Sequence, residues 1–269
     1  MLLISLYLAL WIGAARADTS IERGYLRMYN LDFAGAHKSF AEWMQLRPSD
    51  PLGPASDAAA YLFAEFDRLH ILQSELFTHD EKFRTREQLS PDPVLAAAFN
   101  RQLRNAKALA GESLARNSRD TNAMFALVLV DGLGSDYQGL IEKNYLTSLS
   151  AAKSARRTAE RLLVLSPDYN DAWLAVGVEN YMLSLKPLPV RWILQLTGSQ
   201  TDRTVGLERL RQTAEHGRFL KPFARLLQAV AALRDKDRTR ARTILSELSA
   251  QFPGNHLYSE ELARLGPLN

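Results

Sequence analysis

The chain has no cysteine. A disulfide framework, a thiolate nucleophile and any cysteine-based zinc or iron–sulfur site are thereby excluded. Glycine and proline are sparse, at 14 and 11 of 269 residues, which excludes collagen-like and low-complexity sequence. No one sign of charge dominates, since 33 basic residues stand against 30 acidic, a net charge of +3. So small an excess is no nucleic-acid footprint unless it is clustered, and no nucleic-acid partner is expected. Beyond the first dozen residues no apolar run approaches the roughly 20 residues of a membrane span. Leu, Ala, Arg and Glu are abundant, within a content that is 46% hydrophobic and 23% charged. That composition favours helix over strand in a globular chain.

The N-terminus reads as an export signal. Residues 2–12 (Leu-Leu-Ile-Ser-Leu-Tyr-Leu-Ala-Leu-Trp-Ile) are apolar and too few to span a bilayer. The small-x-small pair Ala15 and Ala17 follows, so residues 1–17 are expected to be a signal peptide cut after Ala17. The mature chain, 18–269, would then be periplasmic or secreted. No cysteine follows the cut, so no lipoprotein anchor is expected. An uncleaved leader would instead tether the protein as a membrane-bound assembly factor.

From residue 20 onward apolar residues recur at steps of three and four, the signature of amphipathic helix. The stripe in 56–77 includes Leu62, Phe63, Phe66, Leu69, Leu72 and Leu76. Further stripes run through 94–115, 122–133, 140–165, 171–185, 205–215, 221–233 and 239–252. Breaks such as Pro48–Pro51, Ser90–Pro93, Asn117–Asp120, Ser166–Asp168 and Phe252–Asn255 separate them. Proline disfavours helix in the residue before it, and the Asp or Asn that follows can cap the next helix. Short breaks between long helices imply antiparallel hairpins, so the expected fold is all-α.

Three windows fit a two-helix repeat of about 34 residues. In the first, Gly24, Ala36, Phe40 and Pro48 fall at the small, small, aromatic and proline positions. In the second, Trp173 precedes Gly177 by one helical turn. In the third, Ala229, Ala241, Leu245 and Pro253 occupy matching places, with Asp237 in the turn. A further match ends at Pro167 with Ala155 in register. The small residues let paired helices approach closely, and stacked hairpins bury a shared core.

These windows resemble the tetratricopeptide-repeat superfamily. A stretch of about 50 residues beginning at Asp171 is similar to something narrower, the tetratricopeptide-repeat-39 / inclusion-body-clearance group. There a Leu-Ser-Leu-x-Pro turn, here Leu183–Pro187, precedes Gly-x-x-x-Asp-Arg-x-x-Gly-Leu, here Gly198–Leu207. The superfamily resemblance implies an α-solenoid of stacked antiparallel hairpins in a right-handed superhelix. One continuous domain is expected over about 19–265, with degenerate or inserted units at 54–120 and 184–220 and a final capping helix over 255–265. It also implies a non-catalytic scaffold that holds a protein or peptide partner in a concave groove. By repeat register that groove is lined by Tyr25, Tyr29, Leu174, Val178, Tyr181, Phe223 and Val230.

Catalytic and metal signatures are not found. His37, His70, His79, His216 and His256 have no zinc spacing. Gly132-Leu133-Gly134-Ser135-Asp136 lacks the glycine and lysine pattern of a nucleotide loop, and reads as a helix-ending turn. Carboxylate neighbours such as Glu260-Glu261 point to different sides of a helix. No cofactor, no metal and no enzymatic activity are expected. The charges of 234–242 interleave and read as a solvated turn, and Arg156, Arg157 and Arg161 form a short basic stripe. Residues 186–194 interrupt the repeat with a short apolar helix carrying Trp192, a secondary candidate site. Membrane contact has two routes, an uncleaved leader or the segment 186–196. The competing function is a small-ligand carrier, or an enzyme, with a pocket roofed by 184–206. A deep cavity with converging acids or histidines would favour that alternative over an open groove.

Overall fold

The structure, a computed structural model, describes residues 19–71 and 89–266. The expected leader (1–17) and the stretch around Leu72, Leu76 and His79 lie outside the described residues. Twelve α-helices and no strand are found among those described. They are α1 (Ser20–Tyr29), α2 (Phe33–Leu46), α3 (Leu52–Arg68), α4 (Pro93–Arg116), α5 (Thr121–Asp136) and α6 (Tyr145–Leu165). After these come α7 (Trp173–Ser184), α8 (Leu188–Leu196), α9 (Arg203–His216), α10 (Lys221–Arg234), α11 (Arg238–Gln251) and α12 (His256–Leu265). A π-helical turn (Tyr137–Ile141) prolongs α5, and a 3₁₀ turn (Asn170–Ala172) leads into α7.

The polar breaks in the sequence act as helix starts. Thr19 and Glu22 form a reciprocal capping box on α1, with the Thr19 N–H donating to Glu22 Oε2 at 2.7 Å. Asp32, Asp92, Asp120, Asn144, Asp202, Asp237 and Asn255 each accept from backbone N–H groups in the first turn that follows them. Asp168 differs: it accepts from Ser166 Oγ at 2.7 Å and caps no helix. The expected final helix is α12, and two arginines in the first turns of α11 serve it, so this part of 234–242 is not merely a solvated turn. Arg238 and Arg242 donate to the carbonyls of Leu265 and Gly266 at its C-terminal end.

Every helix except α8 packs against its neighbours in chain order, with α7 pairing directly with α9. The first and third repeat windows correspond at a constant offset. Gly24 matches Ala229, Ala36 matches Ala241 and Phe40 matches Leu245. Even the left-handed turn residues agree, Leu31 at φ 60° and Lys236 at φ 61°, each just before a capping Asp. Two contacts show why small residues occupy these sites. A Cβ on Gly24 would lie 2.2 Å from the Phe40 ring, and one on Gly206 would lie 2.5 Å from the Tyr181 backbone nitrogen. The second contact brings the backbones of α7 and α9 together, leaving α8 outside the pair.

One large core cluster runs from Ile21 to Tyr258, with a satellite around Tyr181, Leu210 and Ala231. Contacts from α1 reach both the link before α10 and the turn before the last helix, α12. Tyr25 stacks on Phe219 with ring centroids 5.1 Å apart. Tyr29 Oη donates to the Phe219 carbonyl at 3.1 Å, and Asn255 Nδ2 donates to the Tyr29 carbonyl at 2.8 Å. The Gly254 N–H donates to Asn30 Oδ1 at 2.8 Å. Arg218 reaches Glu22 at 2.7 Å. Burial alone would raise Glu22, but hydrogen bonds from Arg218 and Thr19 outweigh it and hold its carboxyl at about 2.

Candidate functional site

The residues expected to face a groove line a common interior cavity. Its volume is about 230 Å³, and Tyr25, Tyr29, Leu174, Val178, Tyr181 and Phe223 all belong to its wall. Val230, placed with them by register, lines it as well. The wall is drawn mainly from α1, α3, α5, α7 and α10, because their apolar stripes face inward. None of residues 184–206 lines the cavity. The inserted segment therefore does not roof it.

The tyrosines are interior groups. Tyr25, Tyr29 and Tyr181 are buried. Tyr25 Oη accepts from Ser56 Oγ at 3.0 Å, and burial pushes its phenol well above the usual range. The same desolvation raises Tyr29 and Tyr181. The Tyr181 hydroxyl is buried without a hydrogen-bond partner among the described residues.

The charged part of the wall is entirely acidic among the described residues: Asp136, Asp171, Glu179 and Glu261, with no Lys, Arg or His. Three of these acids hold the fold. Asp171 accepts from the N–H groups of Arg218, Phe219 and Leu220 at 2.8–3.0 Å and so pins the link between α9 and α10. Burial still raises its carboxyl above the usual range. Glu179 accepts from Arg156 Nε at 2.9 Å and from the Gln200 N–H at 3.1 Å. Glu261 accepts from Arg264 at 2.6 Å.

Asp136 is different. The residue is half-buried, its carboxyl has no hydrogen-bond or ion-pair partner among the described residues, and desolvation alone pushes it up to about 7. It stands at the end of α5, where Leu129, Leu133 and Leu140 line the same wall. The sequence reading of 132–136 as a helix-ending turn does not hold, because α5 runs through to Asp136 and passes into the π turn. The signal for Asp136 lay in the helical period, which sets this acid one turn beyond Leu133 on an apolar stripe.

Other candidates have structural explanations. Arg156 leaves the expected basic stripe. It is buried and binds Glu179, Glu160 (2.6 Å) and the Gly198 carbonyl (2.9 Å). His37 sits 2.6 Å from buried Asp57, which also accepts from Gln102 at 2.7 Å, so one acid ties α2, α3 and α4 together. Trp173 packs on the core under Arg209, whose guanidinium lies 3.9 Å from the indole centroid. The Asp202–Arg203 pair does not join the turn at 183–189. Asp202 caps α9, and Arg203 forms an exposed ion pair with Asp235. Trp192 is 71% exposed on α8. Among the described residues no group of three His, Asp or Glu side chains gathers as a metal would need, and no helix is long and apolar enough to cross a membrane. No family model, curated protein or solved structure matches the chain.

Proposed function

We propose that this chain is a non-catalytic carrier whose interior cavity holds an elongated apolar molecule with a neutral or cationic head. The observation that carries this reading is the wall itself: apolar side chains drawn mainly from five helices, with acids and no base among the charges of the described residues. An engineered apolar cavity of about 150 Å³ stays dry and takes up benzene. A cavity of about 230 Å³ therefore has room for an apolar ligand. Asp136, left without a partner, is the group that a hydroxyl or ammonium head would meet, whereas a carboxylate or phosphate head would meet like charge.

The hairpins are read, in the same proposal, as a tetratricopeptide-like α-solenoid in a right-handed superhelix. The repeat correspondence of Gly24, Leu31 and Phe40 with Ala229, Lys236 and Leu245 supports it. The leader at 1–17 would place this carrier in the periplasm or outside the cell. A second reading, a scaffold for a protein or peptide partner, is favoured by the lining of several helices. It ranks lower because a peptide brings backbone N–H and C=O groups that need hydrogen bonds, and this wall offers few.

The test is displacement of an apolar fluorescent probe from the purified chain beginning at Asp18. Dodecanol and dodecylamine are expected to displace it at least tenfold more tightly than dodecanoate at pH 8. Val178→Trp, which fills the cavity, is expected to abolish displacement while leaving the far-ultraviolet circular dichroism unchanged. Equal displacement by all three ligands, or none by any, removes the proposal.

A further inference from the structure

We propose that α8 is a docking helix for an anionic phospholipid surface, with Leu188, Trp192, Ile193 and Leu196 entering the headgroup boundary. This is independent of what the cavity holds. The helix buries none of its nine residues. Leu188, Trp192, Ile193 and Leu196 are 66, 71, 63 and 88% exposed. At about 100° per residue these four share one face of the helix, while Arg191 and Leu194 lie opposite. So concentrated an apolar face on the surface marks an interaction site rather than scattered exposure.

The face is firmly mounted. Lys153 Nζ donates to the carbonyl and hydroxyl of Thr197, at 3.1 and 2.8 Å, and Arg156 donates to the Gly198 carbonyl at 2.9 Å. Gln195 donates to Thr201 Oγ1 at 2.7 Å and Arg191 to the Thr201 carbonyl at 3.2 Å. Asn180 accepts from the Asp202 N–H at 3.0 Å, closing the loop onto α7. A segment that merely failed to pack would not be fixed by this many polar contacts.

Charge selects the occupant. Between Glu179 and Asp202 the sequence has no acid, and Lys186, exposed just before α8, is cationic, while the Arg191 guanidinium turns inward to the Thr201 carbonyl. On α6 Lys153 reaches Thr197 and Arg157 lies against Gly198, two cations against one acid, Glu160, which is bonded to Gln200 and Arg156. Cations flanking a tryptophan-bearing apolar face match an in-plane helix on an anionic bilayer. A second copy fits poorly. Two such faces brought together would set like charges opposite each other, and one nine-residue helix covers much less than the roughly 800 Å² per partner of a stable interface.

The experiment uses the purified chain beginning at Asp18, which retains every described helix and lacks the apolar leader that would bind lipid by itself. It is co-floated with vesicles of phosphatidylcholine alone and of phosphatidylcholine with phosphatidylglycerol. Binding is expected to be at least tenfold stronger with phosphatidylglycerol and to fall severalfold in high salt. Trp192→Asp with Leu196→Asp is expected to abolish it, with an unchanged melting temperature because neither residue is packed. Lys186→Glu with Arg157→Glu is expected to erase the preference for anionic vesicles. Absence of vesicle binding, or binding that the Trp192 and Leu196 double variant leaves intact, overturns the proposal. A lipid-free dimer that the same variant converts to monomer also overturns it, by showing a second copy as the occupant.

Discussion

A half-buried carboxyl on an apolar wall, without a partner among the described residues, stores a pH dependence. The Asp136 carboxyl is pushed from its ordinary 3.8 up to about 7 by burial. The folded chain thus holds this proton more tightly than the unfolded chain. The group's contribution is fully present below about pH 4 and is lost as pH rises toward 7. Asp136→Asn is therefore expected to be more stable than the parent at pH 8, by at most about 4 kcal/mol and less where solvent screens the group, and nearly equal to it at pH 3.5. Thermal melts at the two pH values decide the matter, and a stability difference that does not change with pH would show that Asp136 is solvated.

At the scale of the helices, close approach of backbones is the specific requirement. Gly206 meets the backbone of Tyr181, which has no flexible end to move aside. Gly206→Ala is expected to cost about 2 kcal/mol or more by forcing α7 and α9 apart. Gly132 is the contrast, since a Cβ there meets nothing within 4 Å and the position lies inside α5. Gly132→Ala is expected to stabilise by about 0.5–1 kcal/mol through helix propensity. Denaturant midpoints of the two variants should move in opposite directions.

Most elements were readable from local pattern, because their ends carry their own capping residues and their faces repeat at the helical period. Asp92 with Pro93, Asp120 and Asn255 are clear cases. Gly132 to Asp136 misled because two glycines weaken a helix in isolation, while burial of Leu129, Val130 and Leu133 carries α5 through them. The groove residues were placed by repeat register, and they do meet at one wall. The helical period places Asp136 on the Leu133 stripe, but only the apolar wall that other helices complete shows that the acid has no partner among the described residues.

At the scale of the whole molecule, the meeting of the two ends had no local signature. Tyr29 and Asn255 are 226 residues apart, and no short pattern announces their bond. Asn255 also caps α12 by accepting from the Leu257 N–H at 3.1 Å. Asn255→Ala is expected to speed hydrogen exchange in α1 as well as in α12, since it removes a tie to each. Faster exchange confined to 250–265 would show that the ends are energetically separate.

A row of hairpins with free ends can gain or lose a unit and remain stable, since each unit leans only on its neighbours. Here Tyr29 and Asn30, at the end of α1, bond to Asn255 and Gly254 just ahead of α12, so the first and last helices meet. A helix pair added to or removed from the middle of the row would pull that meeting point apart, a constraint on helix number that a row with free ends does not feel.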